Sequence, residues 1–97
     1  MSGTSRTSAD LDTRRRRALF RAWHRGTREM DLLLGRFADA HIGRLGDRDL
    51  ADLEALMEVP DGDLFAWVVG RTPVAANYAT PLFTAIVEFH ATRHEQD

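Results

Sequence analysis

Between Met30 and Ile42 the apolar residues Met30, Leu33, Leu34, Phe37, Ala38 and Ile42 recur at i, i+3, i+4, i+7, i+8 and i+12. That spacing lines one face of a helix, which takes about 3.6 residues to complete a turn. Nowhere does the chain alternate convincingly with the period of two that a half-buried strand needs. The fold class is therefore all-α, and the remaining segments can be read as further helices around this one.

Five helices are expected. Leu19, Phe20 and Trp23 form a short apolar stripe on a first helix that Gly26 ends. The second carries the long stripe and is stopped by Gly43 and Gly46. A third opens on Asp47 and Asp49, acids suited to the positive end of a helix dipole, and buries Leu50, Leu53, Leu56 and Met57 before Pro60. Asp61 is a good N-cap for a fourth, which buries Leu64, Trp67 and Val68 and stops at Gly70. After an irregular stretch from Arg71 to Ala79, Thr80 caps a fifth helix with Pro81 in its first position. Its Leu82, Ile86 and Phe89 face inward. Residues 1–12, rich in Ser, Thr, Gly and Asp with little to bury, read as a disordered tail; residues 13–95 form a single five-helix domain.

Several function classes fall away on composition. The 97 residues contain no cysteine, which excludes disulfides, zinc–thiolate and iron–sulfur sites, and thiol catalysis. No apolar run approaches the roughly 20 residues of a membrane helix, so membrane insertion is not expected. Asp10 and Asp12 argue against a mitochondrial transit peptide, and a secretory core is missing, so a bacterial cytoplasmic location is favoured over the mitochondrial matrix. No nucleotide-binding loop is present, and Glu54, Glu58 and Asp63 lack the spacing of an acid–base pair. An enzyme is not expected.

The net charge of −2 hides an asymmetry. Residues 1–28 hold eight arginines against Asp10 and Asp12, whereas residues 29–97 hold five arginines against thirteen acids. Four of the basic residues are adjacent, Arg14 to Arg17. They would allow salt-dependent contact with phosphates, and hence an antitoxin-like or nucleic-acid-associated regulator. Consecutive residues point around a helix, however, and the acidic body repels a polyanion, so nucleic acid is the weaker reading. His90 and His94 have a two-ligand metal spacing but no evident third ligand, and no metal site is assigned.

The stretch Arg25-Gly26-Thr27-Arg28-Glu29-Met30-Asp31 sits at the joint between the first two helices. Charges clustered there, beside a glycine that lets another backbone approach, suit a docking surface better than a reaction centre. Structure alone explains part of it. Gly26 can end the first helix, and if it also caps the second, Glu29 falls at the third helical position as half of a capping box. Neither role requires Arg25 and Arg28.

Two blocks carry a family resemblance. Arg25-Gly26-x-x-Glu29-Met30-Asp31, preceded by Phe20-Arg21-Ala22-Trp23-His24, resembles one motif of the succinate dehydrogenase flavinylation factors. Glu58-Val59-Pro60-Asp61-Gly62-Asp63-Leu64-Phe65-Ala66-Trp67 resembles that family's other motif, at a fitting distance. The resemblance runs from about Arg16 to about Phe89. Gly46 departs from it, standing where a Ser or Thr cap is expected.

The resemblance implies a small helical assembly factor that binds the flavoprotein subunit of succinate dehydrogenase, or of fumarate reductase. It promotes covalent attachment of FAD to a histidine of that partner, and holds no cofactor stably itself. Carried onto this chain, the partner-binding residues are Arg25, Gly26 and Glu29, with Arg28 and Asp31 as near neighbours and Trp23, expected to be partly exposed, beside them. The free protein is expected to be a monomer.

Overall fold

The computed structural model describes residues 10–96, with side chains described as far as Thr92. Among these residues lie five α-helices and no strand: α1 (Thr13–Trp23), α2 (Arg28–His41), α3 (Asp47–Leu56), α4 (Asp61–Val68) and α5 (Pro81–Gln96). Short 3-10 turns, Ile42–Arg44 and Ala76–Tyr78, precede α3 and α5.

Local chemistry starts three of the helices. Asp12 accepts the Arg15 backbone N–H, Thr27 that of Met30 at 3.3 Å, and Thr80 that of Phe83 at 3.1 Å, each satisfying a donor that the first turn leaves unpaired. Gly46 offers no side chain to α3, whose first turn is instead favoured by Asp47 and Asp49.

Four expectations need correction. Leu11 and Asp12, assigned to the tail, belong to the domain: Leu11 is buried in the core and Asp12 caps α1. The rest of the tail, residues 1–9, lies outside the described residues. Asp61 does not cap α4; it occupies the first helical position after Pro60, and its carboxylate is engaged elsewhere. Gly26 does not cap α2, because Thr27 does, and Glu29 is consequently the second helical residue with no capping-box role. Phe20 is not in the core but 63 % exposed. The buried face of α1 is Ala18, Leu19, Ala22 and Trp23, a stripe half made of alanines.

The core is one continuous cluster fed by every helix. Its largest fully buried side chains are Phe37, Leu34, Ile42, Leu50, Leu53, Leu56, Leu64 and Ile86. Each contributes roughly 1.5–3 kcal/mol by leaving water. Trp67 is half-buried, packed on the cluster's edge with its ring 5.5 Å from Tyr78, and Phe83 joins the core beside Leu82.

The α1–α2 contact depends on a residue without a side chain. Gly35, buried in mid-α2, lies under the Trp23 indole so closely that a β-carbon there would meet the ring at 2.3–2.8 Å. Real carbons do not approach so near. A glycine in a helix interior costs about 1 kcal/mol relative to alanine, and here it lets the indole lie against the helix backbone. The last ring of α1 is thereby set under the loop that follows it.

Candidate functional site

The loop between α1 and α2 is four residues long, His24 to Thr27. His24 closes α1, its backbone N–H donating to the Arg21 carbonyl and its ring stacked on Phe20 at 3.9 Å. The ring Nδ1 lies 2.7 Å from the Phe20 carbonyl; since that oxygen can only accept, Nδ1 carries the proton. Gly26 then turns the chain with φ +110°, a conformation that side chains disfavour. Thr27 starts α2 immediately after it.

Arg25 turns inward. Its Nε donates to Asp61 Oδ1 at 2.9 Å and its Nη2 to the same oxygen; Nη2 also donates to the Val59 carbonyl at 3.0 Å, and Nη1 to the Met57 carbonyl. Only 12 % of the side chain remains exposed. Its backbone N–H donates to Asp31 Oδ1 at 2.6 Å, so Asp31 holds the loop from the α2 side. The expectation that the Arg25 guanidinium faces a partner is therefore corrected: it ties the α1–α2 loop to the junction of α3 and α4. Trp23 is likewise corrected, being 7 % exposed over Gly35. Its Nε1 is buried without a hydrogen-bond partner among the described residues.

Gly26, Thr27, Arg28 and Glu29 turn outward, and neither Arg28 nor Glu29 makes an ion pair or hydrogen bond among the described residues. Gly26, Thr27 and Arg28, together with His24, Asp31 and Leu32, surround a shallow recess of about 520 Å³ whose floor is Trp23. A β-carbon on Gly26 would meet nothing within 4 Å, which leaves its surface open to an approaching backbone.

The Arg25 brace also explains why two distant sequence blocks occur together. Residues 25 and 61 are 36 positions apart, one in each block, and they form one ion pair. A model of the family described as the flavinator of succinate dehydrogenase matches residues 16–90, which span both blocks.

The chain belongs to that family.

Named relatives agree. The chain is 43 % identical over 79 residues to the FAD assembly factor SdhE of Acetobacter pasteurianus, covering 81 % of this chain and 72 % of that protein. It is 36 % identical over 80 residues to the mitochondrial succinate dehydrogenase assembly factor 2 of Mycosarcoma maydis, and 32 % over 82 residues to that of Dictyostelium discoideum. Those alignments cover 82 % and 84 % of this chain but only 34 % and 57 % of the two longer proteins. No solved structure matches.

The arginine run preceding the family motif is largely occupied. Arg14 pairs with Glu54 of α3 at 2.7 Å. Arg15 pairs with Asp12 at 2.9 Å and donates to the Ile42 and Leu45 carbonyls, while Arg16 bonds Thr13. Further along α1, Arg21 pairs with Glu58. Arginine on this helix therefore serves mainly to join α1 to α3 and to the turn after α2. Two of the four charges in the run, Arg14 and Arg15, are already paired with acids, which leaves Arg16 and Arg17 exposed.

These contacts perturb the partners in the expected direction. The Arg14 guanidinium holds the Glu54 carboxyl below its ordinary value, and Arg15 does the same for Asp12. His41, between the Phe37 and Phe89 rings, is held below its ordinary value by burial and by the charge of Arg44. Among the described residues, no group of three or more His, Asp or Glu could hold a metal ion, and no helix is long and apolar enough to cross a membrane.

Sequence reasoning missed Thr27, Phe20 and Asp61 as parts of this site. Thr27 was legible, since a threonine hydroxyl can accept a first-turn backbone N–H and glycine has no side chain to do so. Phe20 was legible too, once alanines are counted in the α1 stripe. Asp61 was not, because no local pattern reveals a partner 36 residues away.

Proposed function

We propose that this chain is an assembly factor that docks on the flavoprotein subunit of succinate dehydrogenase and promotes covalent attachment of FAD to a histidine of that subunit. The observation that carries the reading is the division of labour within one motif. Arg25 and Asp31 rigidify the loop from inside, and Gly26, Thr27, Arg28 and Glu29 are left as an exposed, pre-formed contact surface. Pre-organisation of this kind lowers the entropy cost of binding.

Covalent flavinylation requires proton loss from the flavin 8α-methyl while the acceptor histidine is held near that carbon. The flavoprotein supplies those groups. The assembly factor contributes preference: it binds one conformation of the flavoprotein more tightly than others and so raises that conformation's population. FAD becomes bonded to the partner, and this chain holds none stably. Glu29 makes a charge-assisted contact with a cation on the flavoprotein, and Gly26 admits partner backbone. The free factor is a monomer in the bacterial cytoplasm, a placement supported by its likeness to the Acetobacter protein.

The test is co-expression with a flavoprotein subunit in cells lacking their own factor, reading covalent flavin as fluorescence of the denatured band. The wild-type chain should restore it. Gly26→Arg should abolish it while the protein still folds, because the added side chain stands in open space where partner backbone belongs. Full flavinylation with Gly26→Arg would refute the reading. Arg16→Gln with Arg17→Gln should leave flavinylation intact, whereas an arginine-dependent regulator would lose its activity. Running the same assay with the fumarate reductase flavoprotein decides whether the surface serves that client as well.

A further inference from the structure

We propose that the groove between α2, α4 and α5 is a second docking surface for the client flavoprotein, and that it takes an amphipathic helix bearing a cation toward Glu29 and an anion toward Arg36. The inference rests on the docking reading above and extends it to a face that the loop motif does not include.

Each of the three helices contributes a stripe at i, i+3 and i+4. On α2 it begins at Glu29 and continues through Leu32 and Leu33 to Arg36; on α4 it begins at Phe65, and on α5 at Val87. The stripes converge on an apolar groove of about 600 Å³. Leu32, Phe65 and Val87 are only half-buried there, and Val69 is 36 % exposed, the sole large apolar residue besides Phe20 that the described structure leaves so open. Leu33 and Val68 close the core beneath the groove, and Leu32, Phe65 and Val87 pack on its edge with part of their apolar surface left uncovered.

Charge defines the occupant. Arg36 is half-buried yet makes no hydrogen bond or ion pair among the described residues, as is true of Glu29 at the other end of the same stripe. A partly buried cation without a partner is unfavourable for the isolated domain. Seven residues separate the two charges, about 10.5 Å along the helix at 1.5 Å per residue. A partner helix matches that spacing with a basic residue at one position, an acidic residue seven later, and apolar residues three and four along between them. Leu32 lines both this groove and the recess at the loop, so one client can cover the two continuously. A second copy of this chain fits less well, because its own stripe of matching charge, Glu29 to Arg36, is the one that lines its groove.

The experiment places a photo-crosslinking phenylalanine analogue at Val69, or separately at Arg28, in the full chain mixed with purified flavoprotein subunit. Crosslinks to the flavoprotein are expected from both positions, with the Val69 adduct mapping to a helix. A crosslink from Arg28 alone overturns the groove proposal and leaves the docking reading standing; none from either overturns both. A Val69 adduct at twice the mass of this chain assigns the groove to a second copy and also overturns the proposal. In parallel, Arg36→Glu should weaken the complex at least tenfold at an unchanged melting temperature, with Arg36→Lys retaining most of the affinity. Wild-type affinity for Arg36→Glu would refute the charge assignment.

Discussion

Arg25 in the α1–α2 loop and Arg28 at the start of α2 stand three residues apart and point in opposite directions. Arg25 is folded under the loop onto Asp61 and two backbone carbonyls, while Arg28 points into solvent with nothing to hold. The same contrast separates Asp31, bonded to the Arg25 N–H, from Glu29, whose side chain has no partner among the described residues. A recognition motif thus contains its own scaffold. Its two ends, Arg25 and Asp31, shape the surface that the residues between them, Gly26 to Glu29, leave exposed.

The sharpest way to break the comparison is to exchange the two arginines' roles. Arg25→Met should destabilise by about 3 kcal/mol, because it leaves the Asp61 carboxylate and the Met57 and Val59 carbonyls without their donor in a mostly buried setting. Arg28→Met should change stability by less than about 0.5 kcal/mol, as a surface substitution does, and should weaken client binding instead. Urea unfolding of the two variants decides the matter; equal losses would remove the distinction.

The next largest effect concerns the floor of the recess. Gly35→Ala should cost about 1–3 kcal/mol despite alanine's better helix propensity, since its β-carbon would strike the Trp23 ring and force the two helices apart. A blue- or red-shift in tryptophan fluorescence should accompany the loss. A stabilised Gly35→Ala would mean that the indole has room to move.

Glu29→Gln isolates the presenting side. Its melting temperature should match the parent's, and calorimetric affinity for the flavoprotein should fall at least tenfold, about 1.4 kcal/mol. Equal binding would leave Gly26, Thr27 and Arg28 as the only outward contacts.

The smallest effect is the response to pH. His41 sits below its ordinary 6.5, so the unfolded chain binds the proton first; the contribution is complete above pH 6.5 and is lost as pH falls through the lowered value. Glu54 and Asp12, held below their ordinary 4.5 and 3.8, add the same sign at more acidic pH. Stability should therefore decline on acidification from pH 6.5, and His41→Gln should flatten the first part of that decline. A melting temperature that rises between pH 6.5 and 5 would contradict these assignments.

Much of the fold was legible in the chain. Helix α2 announces itself through six apolar positions, and Thr80-Pro81 marks the start of α5 correctly, because periodicity and capping are local. The errors lie at joints. Asp61 is the right residue type in the right place for a cap, but its ion pair with Arg25 outweighs that use. Leu11 was lost to a polar-looking tail because a single apolar residue gives no period. Within the motif, residue types pointed to a surface of charges around a glycine. They did not tell which charges face out.

Sequence by itself determined an all-helical chain, its five helices, and the seven-residue stretch on which interest centres. Those follow from hydrophobic spacing and from the few residues that begin and end helices, and both act over one or two turns. Tertiary structure alone decided that Arg25 is a brace while Arg28 faces outward, that Trp23 lies over Gly35, and that the Arg36 side chain ends a groove with no partner among the described residues. An arginine side chain is long enough to reach either solvent or a neighbouring helix, and the choice depends on an acceptor that only folding brings within 3 Å.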